Sequence, residues 1–229
     1  MESNLGRRQN LNRVNFLYLH GFASGPGSTK AQYFLAQFQD LGIELHIPDL
    51  NQPSFTDITL TSRLELISDV VASLPARPVV IWGSSLGGLL ALLYAREHQE
   101  KVAGLVLLAP ALEFSQRWED MLGKDGLKKW ESNGYISVPH YAYKKEEPLA
   151  YNFFLDAAKH ETRDLTLQIP IMIFHGKDDV TVPIDVSRRF SANNGEHVQL
   201  LELADGHELI DSMPVIWTNA KSFMNERLN

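Results

Sequence analysis

The stretch PVVIWGSSLGGLLALLYAREH, residues 78–98, decides the architecture. Pro78 to Trp82 is a short apolar run rich in β-branched residues and bounded by Pro78 and Gly83, which reads as a buried strand. Leu86 to about His98 is longer and rich in Leu and Ala, so it reads as a helix. Between them Gly83-Ser84-Ser85-Leu86-Gly87-Gly88 carries a serine with glycines two before and two after it. A strand feeding directly into a helix through Gly-x-Ser-x-Gly is a nucleophile elbow in the context it requires. So sharp a turn strains the backbone of Ser85, and Gly83 and Gly87 leave the room it needs. It also aims Ser85 at the start of a helix, where backbone N–H groups lack intrahelical partners and can stabilise an oxyanion. The Leu86 N–H is the expected first donor. Either serine would otherwise serve as a helix cap, and that structural role is assigned to Ser84.

Working outward, short apolar runs alternate with segments of helical period, the pattern of βα units on a parallel sheet. Six strands are expected: Val14 to Leu19, Ile43 to Ile47, Pro78 to Trp82, Val102 to Leu108, Pro170 to Phe174 and Val198 to Leu203. Most lack strict alternation, as strands covered on both faces do. Helical stripes run through Ala31, Phe34, Leu35, Phe38 and Leu41, through Leu60, Leu64, Ile67, Val71 and Leu74, and through Ile210, Met213, Trp217, Ala220 and Met224. All three read as core faces. The fold class is α/β, one domain over residues 14–229.

Residues 111–167 break this rhythm and read as a partly helical cap inserted after the strand that follows the elbow. Loops beyond the carboxyl ends of parallel strands surround the site in such sheets. Aromatic residues of the insertion are therefore expected at an acyl-binding pocket, with Trp118, Trp130 and Tyr141 as candidate substrate contacts.

A serine nucleophile needs a base, and the base needs a group to fix its tautomer. Of eight histidines, His207 fits best, since Ala204-Asp205-Gly206-His207 follows the last strand and precedes the last helix. The acid falls in His175-Gly176-Lys177-Asp178-Asp179-Val180-Thr181-Val182-Pro183, after the fifth strand. Counting to Val182-Pro183 favours Asp179 over Asp178, with Glu113 as the fallback. His175 precedes the acid and is read as a brace for its loop. The second oxyanion donor is expected from His20-Gly21-Phe22-Ala23-Ser24-Gly25-Pro26-Gly27, at the Phe22 N–H. The order Gly27-Ser28-Thr29-Lys30 is wrong for a phosphate-binding loop, so Ser28 or Thr29 is read as a helix cap.

Composition narrows the function further. Of 229 residues, 44% are hydrophobic and 21% charged, as in an ordinary globular protein. A net charge of −7 offers no basic field for nucleic acid. With no cysteine, disulfides, thiolate metal sites and a cysteine nucleophile are excluded. No His-x-His or His-Glu-x-x-His spacing suggests a metal, and the expected chemistry needs no cofactor. Residues 1–13 are polar and read as a flexible tail without a signal-peptide core. No run approaches the roughly 18 apolar residues of a membrane span. A soluble cytoplasmic protein is expected, and a short Arg-bearing organelle-targeting segment also fits.

At these residues the chain resembles the α/β-hydrolase superfamily, lacking the first antiparallel strands of many members. Leu17-Tyr18-Leu19-His20-Gly21-Phe22, followed by Ser24, Pro26, Ser28, Lys30 and Ala31, is similar to the YqiA/YcfP-type small esterases, as is the elbow itself. The aromatic insertion resembles ABHD-type acyl-thioesterases and acyl-glucuronide esterases. The resemblance implies Ser85, Asp179 and His207 as triad, Phe22 and Leu86 as oxyanion hole, and hydrolysis of a small acyl ester or thioester. Amide or carbon–carbon bond hydrolysis on the same triad, or a small-molecule receptor that retains it, remain alternatives, because fold alone does not assign function.

Overall fold

In the computed structural model, which describes Leu11 and residues 13–227, the apolar runs pair into one six-stranded sheet. Its strands are β1 (Asn15–Leu19), β2 (Leu45–His46), β3 (Val79–Ser84), β4 (Val102–Leu108), β7 (Ile171–Gly176) and β8 (Val198–Leu203). They lie in the order β2-β1-β3-β4-β7-β8, and every pairing is parallel. The order reverses between β1 and β3, which opens a crevice beyond their carboxyl ends. All six runs became strands. The second is only two residues long, because Pro48 cannot continue its ladder.

The helices are α1 (Thr29–Asp40), α2 (Leu60–Ser73), α3 (Leu86–Glu97), α4 (Phe114–Asn133), α5 (Asn152–Ala157), α6 (Asp185–Asn194) and α7 (Met213–Arg227). Strand alternation splits the core into two layers. Phe16, Tyr18, Val80 and Trp82 point one way and pack with Phe34 and Phe38 of α1 and Trp217 and Phe223 of α7. Leu17, Leu19 and Ile81 point the other way, against α2, α3 and α6. Covering both faces is what makes the strands read as unbroken apolar runs. Ser28 caps α1, accepting from the Ala31 N–H, and Thr59 with Ser62 forms a capping box on α2. On the outer strand β8, Glu202 receives two N–H groups from Arg188, each at 2.7 Å.

The insertion is partly helical, as expected, and also contains strands that its sequence does not announce. After α4 it forms an antiparallel hairpin of β5 (Tyr135–His140) and β6 (Lys145–Ala150), and only then the short helix α5. Pro139 and Pro148, with the Lys and Glu residues around them, hide the strand pattern; prolines are tolerated here because a two-stranded ribbon leaves each strand an open edge. Gly134, at φ 78, ends α4 in a left-handed C-cap. The expected tail over residues 1–13 lies outside the described residues except for Leu11, which is buried, and Arg13, which is exposed.

Trp130 is 1% exposed and fastens the insertion together. Its Nε1–H donates to Leu149 O at 3.0 Å, and its ring meets those of Trp118, Tyr151 and Phe154. Trp130→Ala is expected to destabilise the protein by about 3–5 kcal/mol in denaturant melts. Tyr135→Ala, at a position 60% exposed, should shift stability by no more than about 0.5 kcal/mol.

Candidate active site

The elbow is a steric solution. Ser85 holds φ 52 and ψ −114, a conformation that residues with a side chain rarely adopt. A methyl group at Gly83 would lie 2.4 Å from Gly87 O, and one at Gly87 would lie 2.1 Å from Leu19 O. Only glycine lets α3 start this close to β3 and to the end of β1. Strand β4 pins the turn: Ser85 N–H donates to Leu108 O at 2.9 Å, and Ser85 O accepts from Ala111 N–H at 3.0 Å. Ser84 is buried and structural, but not as a cap, since its hydroxyl bonds the buried hydroxyl of Tyr18. Burial is the main reason the Tyr18 phenol is pushed well above its ordinary value.

Three loops meet at Ser85. His207, between β8 and α7, places Nε2 3.1 Å from Ser85 Oγ. Its Nδ1 lies 2.7 Å from Asp179 Oδ2, in the loop after β7. Of the neighbouring aspartates only Asp179 is buried, while Asp178 faces solvent. Glu113 turns away from His207 and accepts from Arg189 at 2.7 and 2.9 Å. The loops of acid and base are in backbone contact: a methyl at Gly176 would lie 2.2 Å from Asp205 O, and Asp178 N–H donates to that carbonyl at 3.1 Å.

Burial by itself would raise the Asp179 carboxyl. Hydrogen bonds from His175, His207 and the Val182 amide outweigh that and hold it well below the usual carboxylate range. Oδ1 accepts from the N–H groups of Thr181 and Val182 at 2.8 and 2.7 Å. His175, fully buried, sits with Nε2 3.2 Å from Asp179 Oδ2 and 2.8 Å from Val182 O, while its Nδ1 meets Ser187 Oγ at 2.8 Å. Two acceptors at Nε2 make it the ring's donor, so His175 braces the acid loop from behind. Arg117 of α4 donates to Thr181 O in the same loop.

The crevice over Ser85 is a cleft of about 920 Å³, bordered by Phe22, Asn51, Ser85, Tyr141, Thr181 and His207 among others. Of the three aromatic residues expected there, the structure brings only Tyr141, 75% exposed, to the cleft. Trp130 is enclosed in the insertion, and Trp118 packs behind Phe22 with Phe114 and Phe153. The Gly21–Phe22 backbone runs beside the nucleophile, since a methyl at Gly21 would lie 3.5 Å from Ser85 Cβ. Lys30, to which the sequence assigned no role beyond the family resemblance, is a buried cation on α1 whose Nζ donates to the backbone carbonyl of Glu208, next to His207, at 2.8 Å. A lysine on the apolar stripe of α1 was the available signal. Asn51, in the loop after β2, also lines the cleft and had no sequence signal. Among the described residues no group of three or more His, Cys, Asp or Glu is placed to hold a metal ion, and no helix is long and apolar enough to cross a membrane.

A parallel sheet that hangs a serine, an aspartate and a histidine on the loops after β3, β7 and β8 is an α/β-hydrolase fold. The chain belongs to the family described as "Uncharacterised protein family (UPF0227)", whose profile matches residues 15–225. It is similar to Protein ABHD12B of Homo sapiens, 25% identical over 231 residues covering 92% of this chain and 60% of that protein. A second relative is the pimeloyl-[acyl-carrier protein] methyl ester esterase of Aromatoleum aromaticum, 38% identical over 112 residues covering 48% of this chain and 42% of that protein. The chain thus spans less than two thirds of either relative. Among solved structures, alpha/beta hydrolase domain-containing protein 10 from mouse superimposes with a TM-score of 0.80 at 20% identity, over 93% of this chain and 90% of that one.

The geometry separates the two aspartates. Asp179→Asn is expected to lower kcat on the order of 10⁴-fold by turning the imidazole to the wrong tautomer, and Asp178→Asn by less than about threefold, both measured on folded protein. Because the folded-state carboxyl of Asp179 lies below its unfolded value, it stabilises the fold above the unfolded pKa of about 4. That contribution is lost as pH falls through the lower, folded value. Chemical denaturation between pH 7 and pH 3 should show a shallower loss of stability in Asp179→Asn than in wild type.

Proposed function

We propose that this protein is a serine hydrolase that cleaves carboxylic ester or thioester bonds of small acyl substrates through an acyl-enzyme. The observation that carries the proposal is the alignment of Ser85 Oγ, His207 and Asp179, at 3.1 and 2.7 Å, with Ser85 held at φ 52 at the start of α3. The similarity to the Aromatoleum protein, named as an esterase for a methyl ester, supports this reading.

In the proposed reaction Ser85 Oγ attacks the acyl carbon while His207 Nε2 takes its proton. The carbonyl π electrons move onto oxygen, and the oxyanion is held by the N–H groups of Leu86 and Phe22. Asp179 keeps Nδ1–H of His207 in place and stabilises the imidazolium. Collapse breaks the bond to the leaving alcohol or thiol, which departs with the proton from Nε2. Water enters, gives a proton to the same nitrogen and attacks the acyl-enzyme. The second collapse releases the acid and returns the proton to Ser85. Tyr141 contacts the substrate at the mouth of the cleft.

Ser85→Ala is expected to fold, to take no label from an organophosphorus probe, and to lose on the order of 10⁶ in kcat. The measurement is single-site labelling by mass spectrometry with turnover of matched ester, thioester and anilide substrates. Near-wild-type turnover in Ser85→Ala would sink the proposal. A labelled Ser85 that turns over only the anilide would replace ester by amide hydrolysis.

A further inference from the structure

The loop after β1 is held from two sides. Its inner side lies against Ser85, and its outer side is fastened to the tip of the β5–β6 hairpin. Ala23, next to Phe22, sits at φ 52, in the left-handed region that a residue with a β-carbon occupies only when its surroundings enforce it. The enforcing contacts are specific. Ala23 O accepts from the N–H groups of Tyr141 and Ala142, at 2.9 and 3.4 Å. Ser24 O accepts from Asn51 Nδ2 at 2.7 Å, and the same amide nitrogen donates to Asp49 Oδ1 at 2.9 Å.

Asn51 and His140 are buried, at 4% and 1% exposure. His140 Nδ1 accepts from the Tyr143 N–H at 3.2 Å, so Nε2 carries the proton towards Asn51 Oδ1, 3.3 Å away. The ring stacks on Tyr143 at 3.8 Å and meets Phe55 edge-on. Loop and hairpin are in contact, since a methyl at Gly25 would lie 3.2 Å from Ala142 Cβ. A buried asparagine with both ends of its amide engaged therefore couples the hairpin to the loop beside the nucleophile.

We infer that the hairpin is a strut for the oxyanion loop, with Asn51 and His140 as positioning residues that hold Ala23 left-handed and so keep the Phe22 amide at Ser85. The catalytic part of this inference rests on the hydrolase reading above. Asn51→Ala removes the donor to Ser24 O and the acceptor facing His140 together. It is expected to lower kcat about 10²-fold with KM changed by less than about threefold, and to speed amide hydrogen exchange in residues 21–25. Adding Ala23→Gly, which allows a positive φ without a β-carbon, should recover part of kcat. His140→Gln, which keeps a donor towards Asn51, should lie between the two and serves if Asn51→Ala does not fold. In an active protein, unchanged kcat or unchanged exchange over residues 21–25 in a folded variant overturns the inference. If the wild type cleaves no ester or thioester, the hydrolase reading fails by itself; the strut then stands on faster exchange in the variants and falls if exchange is unchanged.

Discussion

The left-handed backbone of Ser85 is the constraint on which the rest depends. It exists because β3 and α3 cross with no side chain between them at Gly83 and Gly87, and because the end of β1 closes directly over that crossing. The approach requires β1 and β3 to be parallel neighbours, and the bonds that Ser85 N–H donates to Leu108 O and that Ser85 O accepts from Ala111 N–H require β4 on the other side. Three strands and a helix must be in register before the serine can be presented. The βα order that builds the sheet is therefore also what forms the elbow.

A second constraint is the buried charge of Asp179. A carboxylate removed from water is tolerated only when its oxygens are satisfied, and here two backbone N–H groups, His207 and His175 supply the partners. Because the β7 and β8 loops touch at Gly176 and Asp205, the acid and the imidazole are carried by loops packed directly against each other. Lys30 ties this pair of loops to α1 through the carbonyl after His207.

The sheet and the elbow were legible in the sequence because their requirements are local: continuous apolar runs for doubly covered strands, glycine two positions either side of Ser85 for the crossing. The acid loop was legible by counting back from Val182-Pro183, whose amide and carbonyl close the loop around Asp179 and His175. The insertion was harder. Pro139 and Pro148 argue against strands in a large sheet, and only the three-dimensional context makes a two-stranded ribbon acceptable. Aromatic content could not distinguish Trp130, whose indole N–H finds a buried carbonyl, from Tyr141, which stands in the cleft. Asn51 carried no pattern of its own, because its role arises from two segments far apart in the chain.

The pairing of Arg188 with Glu202 gains a different meaning from its position at the border of the sheet. As an exposed ion pair it contributes little to stability. As fixed charge on β8, together with the polar Gln199, it interrupts what would be a template for another chain's strand. At the opposite border β2 offers two residues and then Pro48. A parallel sheet of such apolar strands is a hazard for self-association wherever it ends. Among the described residues one end is charged and the other only two residues long, so neither border presents a long uninterrupted apolar edge.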